Sequence, residues 1–192
     1  FGGTDEDYAY CIQQTPDSSY VIAGKAKSYG KGEEDMFVFR VSATGDSLWL
    51  KTYGNALSDM ARHIELTADG GYIVSGSSRD TTSQNFEMAL LKLNANGDTL
   101  WTKHYYESLN SFGYSAEQTS DLGYIFCGFY EDSTSFQTIL RDIFVVKTDS
   151  LGNELWRVSG AGVNSDGVML HSIKETNDGH YIAAGTNDIM YV

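Results

Sequence analysis

Proline is nearly missing from this chain, with one residue in 192, and there are only two cysteines, four histidines and 13 basic side chains. Two cysteines cannot form the dense disulfide framework of a small secreted scaffold. No Cys-x-x-Cys pair occurs and the histidines show no zinc spacing, so a structural zinc site is excluded as well. In the repeat described below, Cys11 aligns with His63, Ser115 and Ser172, and Cys127 with Ala23, Ser75 and Ala184. Two small buried thiols are expected, with a disulfide as the alternative. No apolar run reaches the roughly 18 residues of a membrane helix, so membrane insertion is not expected. The 13 basic side chains face 26 acidic ones, a net charge of −13. That balance repels nucleic acid and anionic lipid. Cations, basic proteins and neutral glycans remain as partners.

Glycine and aromatic residues are plentiful: 20 Gly, 13 Tyr, 9 Phe and 3 Trp. Their placement repeats. Tyr20, Tyr72, Tyr124 and Tyr181 each open a short apolar run that closes on Gly24, Gly76, Gly128 or Gly185, at spacings of 52, 52 and 57 residues. Trp49, Trp101 and Trp156 recur at 52 and 55. A period near 50 marks a repeat array or a propeller. The repeats run approximately over 1–52, 53–104, 105–159 and 160–192, the last incomplete.

Within the second copy, Ala61–Thr67 alternates as a strand and Ala68-Asp69-Gly70-Gly71 turns. Tyr72–Gly76 is a second strand and Met88–Leu93 a third. Asn94–Asp98 turns again, and Thr99–His104 is the fourth. Such an order describes an antiparallel meander. Second and third strands such as Tyr20-Val21-Ile22-Ala23 and Ile143-Phe144-Val145-Val146 are apolar throughout, which means burial on both faces. Fourth strands carry Lys51, Lys103 and Arg157, as an outer edge should. The predicted fold is all-β, a β-propeller of four-stranded antiparallel blades. About three and a half blades are present, from Phe1-Gly2-Gly3, which matches Tyr53-Gly54-Asn55, to a third strand at Asp188–Val192. A segment of a larger propeller is expected, with a four-bladed ring or self-association through the incomplete terminal blades as alternatives.

The stretch Asp69-Gly70-Gly71-Tyr72-Ile73-Val74-Ser75-Gly76, followed by Leu91-Lys92-Leu93-Asn94-Ala95-Asn96-Gly97-Asp98-Thr99-Leu100-Trp101, resembles the repeat of secreted bacterial β-propeller proteins common in Bacteroidota. The resemblance covers essentially the whole chain. It implies a propeller fold and a secreted or cell-surface location, and it assigns no activity. Asp17-Ser18-Ser19, Asp121-Leu122-Gly123 and Asp178-Gly179-His180 depart from the double glycine.

Internal comparison places function in the unequal connections between second and third strands: Lys25–Glu34, Ser77–Phe86, Phe129–Arg141 and Thr186-Asn187. Variable loops on a rigid scaffold are a common place for binding. Exposed aromatics stack on sugars and anchor protein partners. The candidate binding residues are therefore Tyr29, Glu33, Glu34, Phe86, Phe129, Tyr130, Glu131, Asp132 and Phe136. Asp35, Glu87, Asp142 and Asp188 each precede a third strand. They are calcium candidates by chemistry, or else acceptors for backbone N–H groups at the strand start. No other cofactor is expected.

No Gly-x-Ser-x-Gly or phosphate-binding glycine loop occurs, and no catalytic residue is assigned. The expected function is a non-catalytic extracellular or cell-surface scaffold that binds a protein or a glycan. The alternative is a carbohydrate hydrolase or lyase with acidic residues at the central channel.

Overall fold

A computed structural model describes residues 2–133, 139–160, 167–186 and 189–191. The strands follow the repeat. The first blade holds β1 (Asp7–Gln14), β2 (Tyr20–Ala26), β3 (Asp35–Val41) and β4 (Ser47–Tyr53). The second holds β5 (Asp59–Leu66), β6 (Tyr72–Arg79), β7 (Phe86–Leu93) and β8 (Thr99–Tyr105). The third holds β9 (Ser111–Gln118), β10 (Tyr124–Ser133), β11 (Ile139–Thr148) and β12 (Glu154–Gly160). Among the described residues, the fourth holds β13 (Met169–Glu175), β14 (Tyr181–Thr186) and β15 (Ile189–Tyr191). Every blade is a meander in which each strand pairs antiparallel with the next. The chain is all-β, a propeller-type stack of four-stranded antiparallel sheets.

In the second and third blades the middle strands are buried on both faces because a neighbour covers each side, whereas β2 of the first blade and β14 of the fourth alternate. Val21, Ala23, Met36 and Val38 of the first blade meet Ala61, Ile64, Tyr72, Val74 and Leu91 of the second. Ile73, Met88 and Leu90 then meet Tyr124, Phe126 and Phe144 of the third. Ile125, Cys127 and Val145 meet Leu170, Ile173 and Ala183 of the fourth. Successive residues of one strand thus serve two different cores, which is why these runs do not alternate apolar with polar. Ile12, the counterpart of fully buried Ile64, is 59% exposed on the free face of the first blade.

The repeated tryptophans bind blade to blade. Trp49 lies edge-on to Tyr72 at 6.3 Å, Trp101 to Tyr124 at 5.6 Å, and Trp156 tilts against Tyr181 at 5.7 Å. Beside them, the Tyr53 hydroxyl donates to the Gly97 carbonyl at 2.7 Å and Tyr105 to Gly152 at 2.6 Å. Both thiols are free, Cys127 deep in the core and Cys11 half-buried.

One repeated device lies within apolar strands. Lys92 and Lys147 are buried, and their ammonium groups reach Asp69 and Asp121 at 2.9 Å and the carbonyls of Leu93 and Thr148. Arg40 holds Asp17 in the same way at 2.7 Å. Each cation ties a third strand to the turn between the first two. The aspartates respond: partial burial works against the charge, but hydroxyl, ammonium and backbone donors bring Asp69 and Asp121 down to about 2.

Candidate functional site

The loop-face residues do not form one site. Tyr29 is exposed and its hydroxyl donates to the Gly2 carbonyl at 2.9 Å. Glu33 accepts from Ser58 Oγ at 3.2 Å, and Glu34 pairs with Lys25 at 2.6 Å. Phe86 packs on Phe112 at 5.2 Å. Sequence comparison puts Phe129 to Arg141 in a loop, but the β10–β11 hairpin extends to Ser133 and from Ile139. Phe129 and Tyr130 are consequently strand residues that are buried, at 5% and 8% exposure. Glu131 bonds Arg141 at 3.2 Å and Asn110 at 2.9 Å, and Asp132 accepts from Ser108. Phe136 lies outside the described residues.

The calcium candidates are likewise spent on their own chain. Asp35 is buried and accepts the Lys31 and Gly32 amides at 2.9 and 2.8 Å. Glu87 lies 3.4 Å from His104 Nδ1, and burial raises its carboxyl above the usual range. Asp142 pairs in register with Tyr130, and Asp188 lies outside the described residues. Among the described residues, no three His, Cys, Asp or Glu side chains gather as a metal site. A cavity of about 420 Å³ opens between the first two blades, lined by Asp35, Tyr53, Asn55, Asp59 and His104 among others. Asp59 is fully buried there, its carboxyl raised by desolvation, and it accepts the Asn55 amide at 2.7 Å.

A more ordered constellation lies on the innermost strands. The register of all four first strands breaks at the same place, between Ala9 and Cys11, Ala61 and His63, Gly113 and Ser115, and Leu170 and Ser172. Tyr10, Arg62, Tyr114 and His171 are thus the extra residues of four equivalent β-bulges, which re-aim side chains. The repeat glycines explain the position. A Cβ on Gly24, Gly76, Gly128 or Gly185 would lie 1.9, 1.9, 1.8 or 1.9 Å from the carbonyl oxygen of Tyr8, Met60, Phe112 or Met169. The bulge presses the first strand onto the second, and only glycine leaves room.

The four bulged side chains meet in a row. The Arg62 guanidinium lies over the Tyr10 ring at 4.5 Å and over the Tyr114 ring at 5.2 Å. Tyr114 meets His171 edge to face at 4.9 Å, and Tyr10 stacks on Tyr8 at 6.3 Å. These ring and cation contacts hold the row in place. Among the described residues, the Tyr10 and Tyr114 hydroxyls and the Arg62 guanidinium have no hydrogen-bond partner, and His171 Nε2 lies 3.0 Å from Thr186 Oγ1.

A second set of equivalents, Gln13, Glu65, Glu117 and Lys174, lies three residues further along. Lys174 Nζ of the fourth blade is 3.1 Å from Glu117 of the third and 3.6 Å from Glu65 of the second. Contact across an intervening blade requires that these strands curve round an axis, so both sets face it. Burial raises the Glu65 carboxyl, Lys174 opposes this, and Glu117 raises it further. Lys174 is raised despite burial because two carboxylates hold its proton. Desolvation and Lys174 together lower His63, whose Nδ1 faces the Ala116 amide at 3.5 Å.

Neither set follows from loop length or from acid content. The readable signal was a fixed repeat position occupied by Tyr, Arg, Tyr and His, opposite a constant glycine. No protein-family profile matches the sequence, and no curated protein matches it. Among solved structures, the mannose phosphorylase MPT-4 from Leishmania mexicana, determined with a phosphate ion, is similar over 93% of this chain at 16% identity and a TM-score of 0.45. The matched region spans 62% of that phosphorylase.

Proposed function

We propose that the chain is a non-catalytic saccharide-binding propeller segment that grips its ligand on the axial side, through Tyr10, Arg62, Tyr114 and His171. The observation that carries this reading is the set of unpartnered Tyr10 and Tyr114 hydroxyls and Arg62 donors among the described residues, held in a row of cation–π and edge-to-face contacts on four equivalent bulges. A donor-rich, preformed row suits a ligand rich in acceptor oxygens, and preorganisation lowers the ordering cost of binding. The resemblance of the repeats to secreted propellers supports an extracellular or surface setting. Tyr10→Phe and Tyr114→Phe keep the stack and remove only the hydroxyls. Each should weaken saccharide binding about fivefold in calorimetric titration, in line with one hydrogen bond of roughly 1 kcal/mol. Unchanged affinity in both variants would remove the row from the site.

A second reading is favoured by one observation. Glu65 and Glu117 share the Lys174 ammonium, and burial raises the Glu65 carboxyl above the usual range. A pair of carboxyls at one ammonium, one of them raised by burial, is the equipment of a general acid and base on a glycosidic bond. Turnover on a polysaccharide panel, abolished by Glu65→Gln, would establish that activity.

A further inference from the structure

Five arginines occur in this chain, and four of them hold an oxygen. Arg40 reaches Asp17 at 2.7 Å, Arg79 the Gln84 carbonyl at 2.8 Å, Arg141 Glu131 at 3.2 Å and Arg157 Glu107 at 2.6 Å. Arg62 is the exception. Although the chain has 26 acidic side chains, the guanidinium of Arg62 touches only the two tyrosine rings among the described residues. The nearby axial carboxylates, Glu65 and Glu117, are engaged by Lys174 instead. An arginine always carries its charge and presents a planar fork of N–H donors. Here the Tyr10 and Tyr114 rings flank the guanidinium, and its N–H donors remain for a ligand.

A flat carboxylate meets the guanidinium edge with two parallel N–H···O bonds in one plane. Phosphate and sulfate also pair with a guanidinium fork, so the flanking groups decide between these anions. The hydroxyls and imidazole on either side of the fork match the ring and hydroxyl oxygens of a sugar. We infer that the ligand is an acidic saccharide, a uronic-acid oligomer with one carboxylate seated on Arg62, an inference that rests on the saccharide reading above. The net charge of −13 opposes the approach of such a ligand. At physiological salt that repulsion is screened beyond about 8 Å, and the contact itself is decided by the local fork.

The test is calorimetric titration with oligogalacturonate and oligomannuronate, their methyl esters, inorganic phosphate and poly-glutamate. The methyl esters keep the sugar chain and remove the charge. An acid form should bind about 10- to 100-fold more tightly than its ester, as expected for a charge-assisted bidentate pair. Arg62→Gln should bring acid and ester within about twofold of each other, and Arg62→Lys should lie between, since a lysine keeps the charge without the fork. A melting temperature near that of the parent protein shows that each variant is folded. Equal binding of acid and ester overturns the inference and leaves the saccharide reading standing. Tighter binding of phosphate or poly-glutamate than of either uronate also overturns it. If no saccharide binds at all, the saccharide reading fails and the inference with it.

Discussion

Gly76→Ala tests the bulge directly, because its sign can be worked out from the structure. Gly76 has ordinary strand backbone, so alanine meets no conformational penalty there. Where space allows, such a change stabilises by about 0.4–1 kcal/mol through the unfolded chain. Space does not allow it. The new Cβ would sit 1.9 Å from the Met60 carbonyl oxygen and 2.9 Å from the Ala61 Cα, and both are backbone atoms pinned by strand pairing. Relief requires the first strand to move off the second and the bulge to flatten, an overpacking cost of roughly 1–3 kcal/mol. Denaturant unfolding should show a lower midpoint with little change in slope. The melting temperature should fall by roughly 3–10 °C for a chain of this size. A variant as stable as the parent, or more stable, would refute the steric account of the repeat glycine.

Three further outcomes follow from the same contacts. Trp101→Ala removes the ring that packs on Tyr124 and over Gly152 and should cost roughly 3 kcal/mol in chemical unfolding; a loss near zero contradicts its inter-blade role. Asp69 and Asp121 stand at about 2 in the fold against about 3.9 unfolded. Their contribution is therefore complete above pH 4 and lost as pH falls toward 2. The Asp69→Asn, Asp121→Asn double variant should be less stable at pH 7 and show a flatter acid limb between pH 4 and 2, and an unchanged limb would contradict the turn pairing. Leu122 is exposed and held at φ 65° where the second repeat has Gly70. Leu122→Gly should raise stability by roughly 0.5–1 kcal/mol, the left-handed strain relieved less the entropy of glycine, and a destabilised variant would refute the strain.

Much of the fold was legible because each part of the repeat has one physical job. The tyrosine-led runs of the second and third blades are apolar because both faces are covered, while those led by Tyr20 and Tyr181 bury alternate residues. The Asp-Gly turns and the tryptophans fall where hairpins and blade contacts need them. Lys92 sits inside the expected third strand Met88–Leu93, and the structure shows why it and Lys147 are tolerated there: each is satisfied by a turn aspartate and a carbonyl. The bulges were hidden for a different reason. An extra residue present in every blade leaves no gap when the blades are compared with one another. Phe129 and Tyr130 fall in a loop when the run is closed on Gly128 as in the repeat, whereas β10 continues to Ser133 by pairing with β11. The candidate site therefore moved from unequal loops to a fixed position with unequal side chains.

Hydroxyl-radical footprinting with and without oligogalacturonate decides between those two places. Tyr10 on the axial row and Tyr29 on the loop face are each 38% exposed, so they begin with comparable access to the reagent. Bound saccharide should protect Tyr10 and Tyr114 and leave Tyr29 and Phe86 as reactive as before. Protection of Tyr29 and Phe86 with Tyr10 and Tyr114 unchanged would contradict the axial site and return binding to the loops.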